Sequence, residues 1–113
     1  MSEPQRKLAY NHDLQQLVIE AVYAHWNEFH QPAGLKTIRA LVIRKIVRKQ
    51  FENTWPLQWE SPDPGTIDRR TNECASLNSQ ENFHLTDRGP RIIRTSLGFY
   101  APNSMMFEEA AAT

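Results

Sequence analysis

The chain has 113 residues, its 13 Lys and Arg match its 13 Asp and Glu, and 40% of it is hydrophobic. A chain of this size makes one domain that buries roughly two thirds of its unfolded surface, which excludes a disordered acidic tail, a collagen-like fibre and a histone-like polycation. The aliphatic run Leu41-Val42-Ile43 is far too short for a membrane span, residues 1–6 hold no apolar leader segment, and the lone Cys74 has no internal disulfide partner. The expectation from these features is a cytoplasmic domain with reduced thiol chemistry and no membrane partner.

In chain order, residues 1–10 read as a flexible arm, 11–103 as the folded domain and 104–113 as a C-terminal tail. From Asn11 to Phe29, Leu14, Leu17, Val18, Ala21, Val22, His25, Trp26 and Phe29 recur at steps of three and four, the stripe of an amphipathic helix. Asp13 followed by Gln16 has the spacing of a capping-box variant. Gln31-Pro32-Ala33-Gly34 breaks that helix. A second helix is predicted from Leu35 to about Phe51, with Leu35, Ile38, Leu41, Val42, Ile46 and Val47 on its buried side.

Residues 52–65 carry three prolines and form a connector. Trp55, Leu57 and Trp59 make it too apolar for a free linker, so it is expected to lie on the core; an exposed Trp pair would instead mark a partner site. Asp63-Pro64 has the pattern of an N-cap followed by the first helical position, where proline's missing amide costs nothing. The third helix then runs from Pro64 to about Ser76. Ile67, Thr71 and Cys74 face inward, leaving Thr66, Arg69, Arg70, Asn72 and Glu73 to solvent or a ligand. Phe83-His84-Leu85-Thr86-Asp87 alternates as a strand does. Two hairpins compete downstream, one turning at Arg88-Gly89-Pro90 and one near Ser96-Leu97-Gly98, with Gly98-Phe99-Tyr100-Ala101 as a closing strand and Pro102 ending the sheet.

The neutral total conceals local imbalance. Residues 35–49 carry six bases (Lys36, Arg39, Arg44, Lys45, Arg48, Lys49) and no acid, while 50–65 carry three acids and no base. A second set of arginines, Arg69, Arg70, Arg88, Arg91 and Arg94, follows. Local potential of this kind steers a polyanion even when the sum is zero. An ordinary solvated helix face accounts for the first cluster equally, and pairing of Arg69 and Arg70 with Asp68 and Glu73 accounts for part of the second.

The order helix, helix, connector, helix, hairpin, together with Pro64-Gly65-Thr66-Ile67-Asp68-Arg69-Arg70-Thr71-Asn72-Glu73-Cys74, Arg91-Ile92-Ile93-Arg94 and Gly98-Phe99-Tyr100, resembles the winged helix-turn-helix superfamily over about residues 12–102. The connector is longer than the tight turn usual there. The resemblance implies an α+β winged helix, three helices followed by a small antiparallel β-hairpin wing. It implies a double-stranded DNA partner, with the third helix in the major groove. Arg69 and Arg70 would read guanine edges, with Thr66 and Asn72 as nearby polar contacts. Arg88, Arg91 and Arg94 would reach backbone or minor groove from the wing, and Lys36, Arg39, Arg44, Lys45 and Arg48 would contact phosphates. A transcriptional regulator or accessory factor follows from that assignment, with a homodimer left open.

Catalytic chemistry is not apparent. His12, His25, His30 and His84 lack zinc-ligand spacing, the four glycines are isolated, and Glu60 and Asp63 read as a loop acid and a helix cap. No cofactor and no metal are expected. The alternative is a non-enzymatic protein-interaction module, of the kind a phage or mobile element uses to recruit or inhibit a host complex, acting through Trp55, Trp59, Met105, Met106 and Phe107.

Overall fold

A helix is favoured from the start of the chain because Pro4 falls in a first turn that needs no amide, and the residues after it are good helix formers. In the structure, a computed structural model that describes residues 3–56, 59 and 61–107, helix α1 spans Glu3–Phe29. The expectation of a loose arm over 1–10 is therefore corrected from Glu3 onward. Tyr10 explains why this stretch is held: its ring lies edge-on to Trp55 and Trp59, with centroids 6.1 and 5.7 Å away. The expected stripe is buried through Val22, joined by Gln15 and Ile19, but His25 and Trp26 are only half-buried and Phe29 is exposed. The helix has by then passed the end of the core, and His30, at φ 53°, turns the chain out of it.

The break at Gln31-Pro32 leads into a two-residue strand not foreseen in the sequence, β1, Ala33–Gly34. Helix α2, Leu35–Phe51, has the predicted bounds and buries Ile38, Val42 and Ile46. Val47 is the exception, 57% exposed. Helix α3, Pro64–Cys74, begins as expected: the Asp63 carboxylate accepts the Thr66 amide at 2.7 Å and Pro64 stands in the first turn. It ends two residues early and buries Arg70 along with Ile67, Thr71 and Cys74.

The hairpin is the second of the two competing pairings. Strand β2, Ile92–Ser96, pairs antiparallel with β3, Phe99–Pro102, through a turn at Leu97-Gly98. Gly98 has φ 78°, a left-handed conformation that other residues adopt at a cost. β3 also pairs with β1, setting Ala33 against Tyr100 and Gly34 against Phe99, so the sheet order is β1-β3-β2. At this crossing Gly34 lies against the Phe99 ring, which a Cβ would meet at 3.4 Å, about ordinary contact distance. The architecture is α+β, with helices on a small three-stranded antiparallel sheet and the core between α1, α2, α3 and β3. Among the described residues no helix is long and apolar enough to cross a membrane.

The expected strand over Phe83–Asp87 does not form. Residues 75–91 are turns organised by side chains, with a lone bridge between Thr86 and Gly89. Asn82, fully buried, donates to the carbonyls of Cys74 and Ser76 and accepts the His84 amide. Gln15, also fully buried, donates to the Glu81 carbonyl at 2.6 Å and accepts the Phe83 amide at 3.0 Å. These bonds satisfy the loop backbone without a ladder. Beyond the sheet, residues 105–107 are helical; Met106 lies against Thr86, and the Phe107 ring is 6.0 Å from that of Tyr23. The start of the expected tail is thus docked, and its remainder, residues 108–113, lies outside the described residues.

Candidate nucleic-acid interface

Adjacent residues of a helix are rotated by about 100°, so neighbouring arginines seldom share a fate. Arg69 is exposed and makes no hydrogen bond or ion pair among the described residues. Arg70 is 7% exposed, and its guanidinium lies 3.0 Å from Glu73. Glu73 in turn accepts from Gln15 at 3.0 Å. The expectation that Arg70 reads bases is corrected: it is buried in an ion pair within α3 whose Glu73 is tied to Gln15 of α1, and its Nε has no partner among the described residues. Removing either member of such a pair leaves a buried charge uncompensated.

Asp68 does not pair within its own helix. It takes a two-pronged bond from Arg39, Nε to Oδ1 at 2.7 Å and the terminal nitrogen to Oδ2 at 2.5 Å, and so clamps α2 to α3. Arg39 and Asp68 are 29 residues apart, and nothing in the sequence marks them as partners. A hydrogen bond from the Tyr100 hydroxyl to the Asn72 carbonyl oxygen joins β3 to the exposed side of α3. Arg94 stands opposite Tyr100 in the β2–β3 register and is exposed without a partner among the described residues. Burial raises the Tyr100 hydroxyl above its ordinary range, against the opposing charge of Arg94 and with that of Asp68. The Tyr100 link, missed in the sequence, is what brings helix and hairpin together.

One surface therefore collects Arg69, Asn72 and Arg94, with Thr66 half-buried one turn earlier and the Arg39–Asp68 clamp beside them. Lys36, exposed near the start of α2, lies on the same side of that helix as Arg39 by helical phase. The Asp63 carboxyl, held below its ordinary value by the backbone and side-chain hydrogen bonds of Thr66, marks the N-terminal edge.

The other bases do not join this surface. Lys45 reaches α1, donating to Glu20 at 2.8 Å. Burial pushes the Glu20 carboxyl up, but hydrogen bonds from Lys45 and Gln16 outweigh it and leave the group below its ordinary value. Arg44 and Arg48 line the same α1–α2 groove as Lys45. Arg91 gives its carbonyl to the Tyr23 hydroxyl at 2.8 Å, and its charge acts on Tyr23 and His84 rather than on Tyr100. Arg88 sits in the 86–89 turn, outside the hairpin. The bases thus divide among the α3 face, the α1–α2 groove and the 86–91 segment.

No family model matches the sequence, and no curated protein or solved structure matches it.

The residues of the alternative site also separate. Trp55 is 5% exposed and packs edge-on to the half-buried Trp59 at 5.1 Å, so the two indoles lie against the core as expected of a packed connector and do not make a fully exposed pair. Both indole nitrogens are buried with no acceptor among the described residues. Met105 and Phe107 are exposed, whereas Met106 is half-buried. Among the described residues no three His, Cys, Asp or Glu side chains converge to hold a metal. The Cys74 thiol is fully buried and burial raises it far above its ordinary value, so it stays protonated and unreactive.

Proposed function

We propose that this chain is a small winged-helix protein that binds double-stranded DNA as a transcriptional regulator or accessory factor. The element order α1–β1–α2–α3–β2–β3 and the strand order β1-β3-β2 support the winged-helix reading, with the Leu97-Gly98 turn as the tip of the wing. The observation that carries the proposal is the placing of two exposed arginines without a hydrogen bond or ion pair among the described residues, Arg69 on the helix and Arg94 on the hairpin that the Tyr100–Asn72 bond joins. α3 enters the major groove, and Arg69 presents its fork to guanine O6 and N7. Thr66 and Asn72 offer polar contacts beside it, while Arg94 and Lys36 hold phosphates on either flank. The Arg39–Asp68 clamp and the Arg70–Glu73 pair position α3 and touch no base.

Fluorescence anisotropy with labelled random duplex tests this. Binding at low salt is expected, with log K falling against log salt at a slope of about −2, since each of these phosphate contacts contributes roughly −0.9. Arg69→Ala relaxes the preference among selected duplexes, and Arg94→Ala weakens all duplexes alike. A chain that binds no duplex at low salt overturns the reading.

A further inference from the structure

On the side of α2 away from Arg39, α1 and α2 leave an open groove of about 400 Å³ lined by Ala21, Ala24, Leu41, Arg44, Lys45 and Arg48. Its floor is apolar and low, because two of its side chains are alanines. Small side chains let another helix approach closely. Its wall is basic: Arg44 has no partner among the described residues, Lys45 shares Glu20, and Arg48 stands 3.9 Å from Glu52 with its side chain 81% exposed. Three residues beyond Arg44 and Arg48 come Val47 and Phe51, 57% and 89% exposed, which continue the apolar surface along the outside of α2. Apolar residues at this spacing on a solvent face form a ridge left open by the described residues, unlike scattered surface apolar residues.

We infer that this groove is the docking site for an acidic amphipathic helix of a partner protein, a function separate from the duplex-binding surface. The chemistry selects the occupant. Leu or Met side chains of such a helix fill the Ala21–Ala24–Leu41 floor and meet Val47, and its carboxylates pair with Arg44 and Arg48. Duplex DNA offers nothing to the apolar floor. A second copy docking through its own α2 brings six bases against six, since residues 35–49 contain no acid. An apolar groove with one sign of charge on its wall discriminates between partners by that charge.

The test selects a displayed library of short helical peptides against the full chain, then measures the enriched peptides by anisotropy. The expected winners carry an apolar stripe flanked by Asp or Glu and bind more weakly as salt rises. Arg44→Glu combined with Arg48→Glu weakens them about tenfold or more. Ala24→Trp, which fills the floor, abolishes binding, and Arg69→Ala leaves it unchanged. Thermal melts check that each variant is folded. Winners without acidic enrichment, winners indifferent to the paired charge reversal, or no winners at all overturn the inference. So does a dimer in sedimentation that the same charge reversal dissolves, because the occupant is then a second copy. Duplex that displaces the peptides from wild type and Arg69→Ala alike overturns it as well, and in that case the groove belongs to DNA.

Discussion

The α3 surface and the outer flank of α2 are both rich in bases, yet they use them in opposite ways. In α3, two acids lie within reach, so Arg70 and the incoming Arg39 are drawn into ion pairs, and Arg69 alone is left outward. Along α2, no acid occurs over 35–49; on its outer flank Lys45 takes Glu20 from α1, Arg48 has only the distant Glu52 just past the helix, and Arg44 has no partner among the described residues. The contrast teaches that an arginine's availability is set by helical phase and by acids brought in from other elements. A count of charge along the chain sees neither.

The sharpest way to break the contrast is to exchange the fates of Arg69 and Arg70. Arg70→Ala is expected to destabilise the fold by about 2–3 kcal/mol, because the half-buried Glu73 loses its counter-charge and a buried side chain loses its packing. Arg69→Ala is expected to change stability by less than about 0.5 kcal/mol while lowering affinity for selected duplex roughly tenfold or more. Urea melts and anisotropy on the same samples separate the two. Equal stability for both variants defeats the assignment of Arg70 as structural.

Gln15→Ala comes next, at about 2 kcal/mol, since the Glu81 carbonyl and Phe83 amide lose a partner in a part-buried place. The exposed Gln16→Ala is its control, near zero in the same melt. Cys74 gives a kinetic readout: iodoacetamide labels it in denaturant and leaves it unmodified in the folded chain, where burial keeps the thiol protonated. Rapid labelling of the native chain contradicts the packing of α3 on α1.

The smallest expected effect is that of His84. Burial lowers its imidazole below the ordinary 6.5, the His12 carbonyl hydrogen bond works the other way, and the charges of His12 and Arg91 lower it further. The unfolded chain therefore binds more protons than the folded one in this range. The contribution is full above about 6.5 and is lost as pH falls through the lower, folded value. Melting temperature is expected to drop slightly from pH 7.5 to 5.5, and His84→Gln to flatten part of that slope.

Much of the helical framework was legible because it is written in local terms. The 3.6-residue stripe of α2, the Asp63-Pro64 start of α3 and the Gly98 turn each rest on neighbours a few residues away. The elements misread depend on distant partners. Residues 83–87 alternate as a strand does, but Gln15 and Asn82 take their backbone groups first. Residues 3–10 look like an arm until Tyr10 meets Trp55 and Trp59. Of the candidate surface, the types were legible and the phases were not: Arg69 and Arg70 are alike in sequence, and only the packing of α3 on α1 tells them apart. The Tyr100–Asn72 and Arg39–Asp68 links went unread, with Asp68 assigned to its own helix instead, because they span 28 and 29 residues.

The buried amide of Gln15 has a consequence for how the molecule opens. It ties α1 to Glu73, Glu81 and Phe83, groups 58 to 68 positions further along. The irregular stretch after α3 has local bonds through Asn82, but Gln15 is what fastens it to the first helix, so it locks onto the domain only once the first and third helices have met. Cleavage by a protease within 76–81 should track the global unfolding of the domain, whereas an ordinary surface loop of the same length would be nicked while everything around it stayed intact.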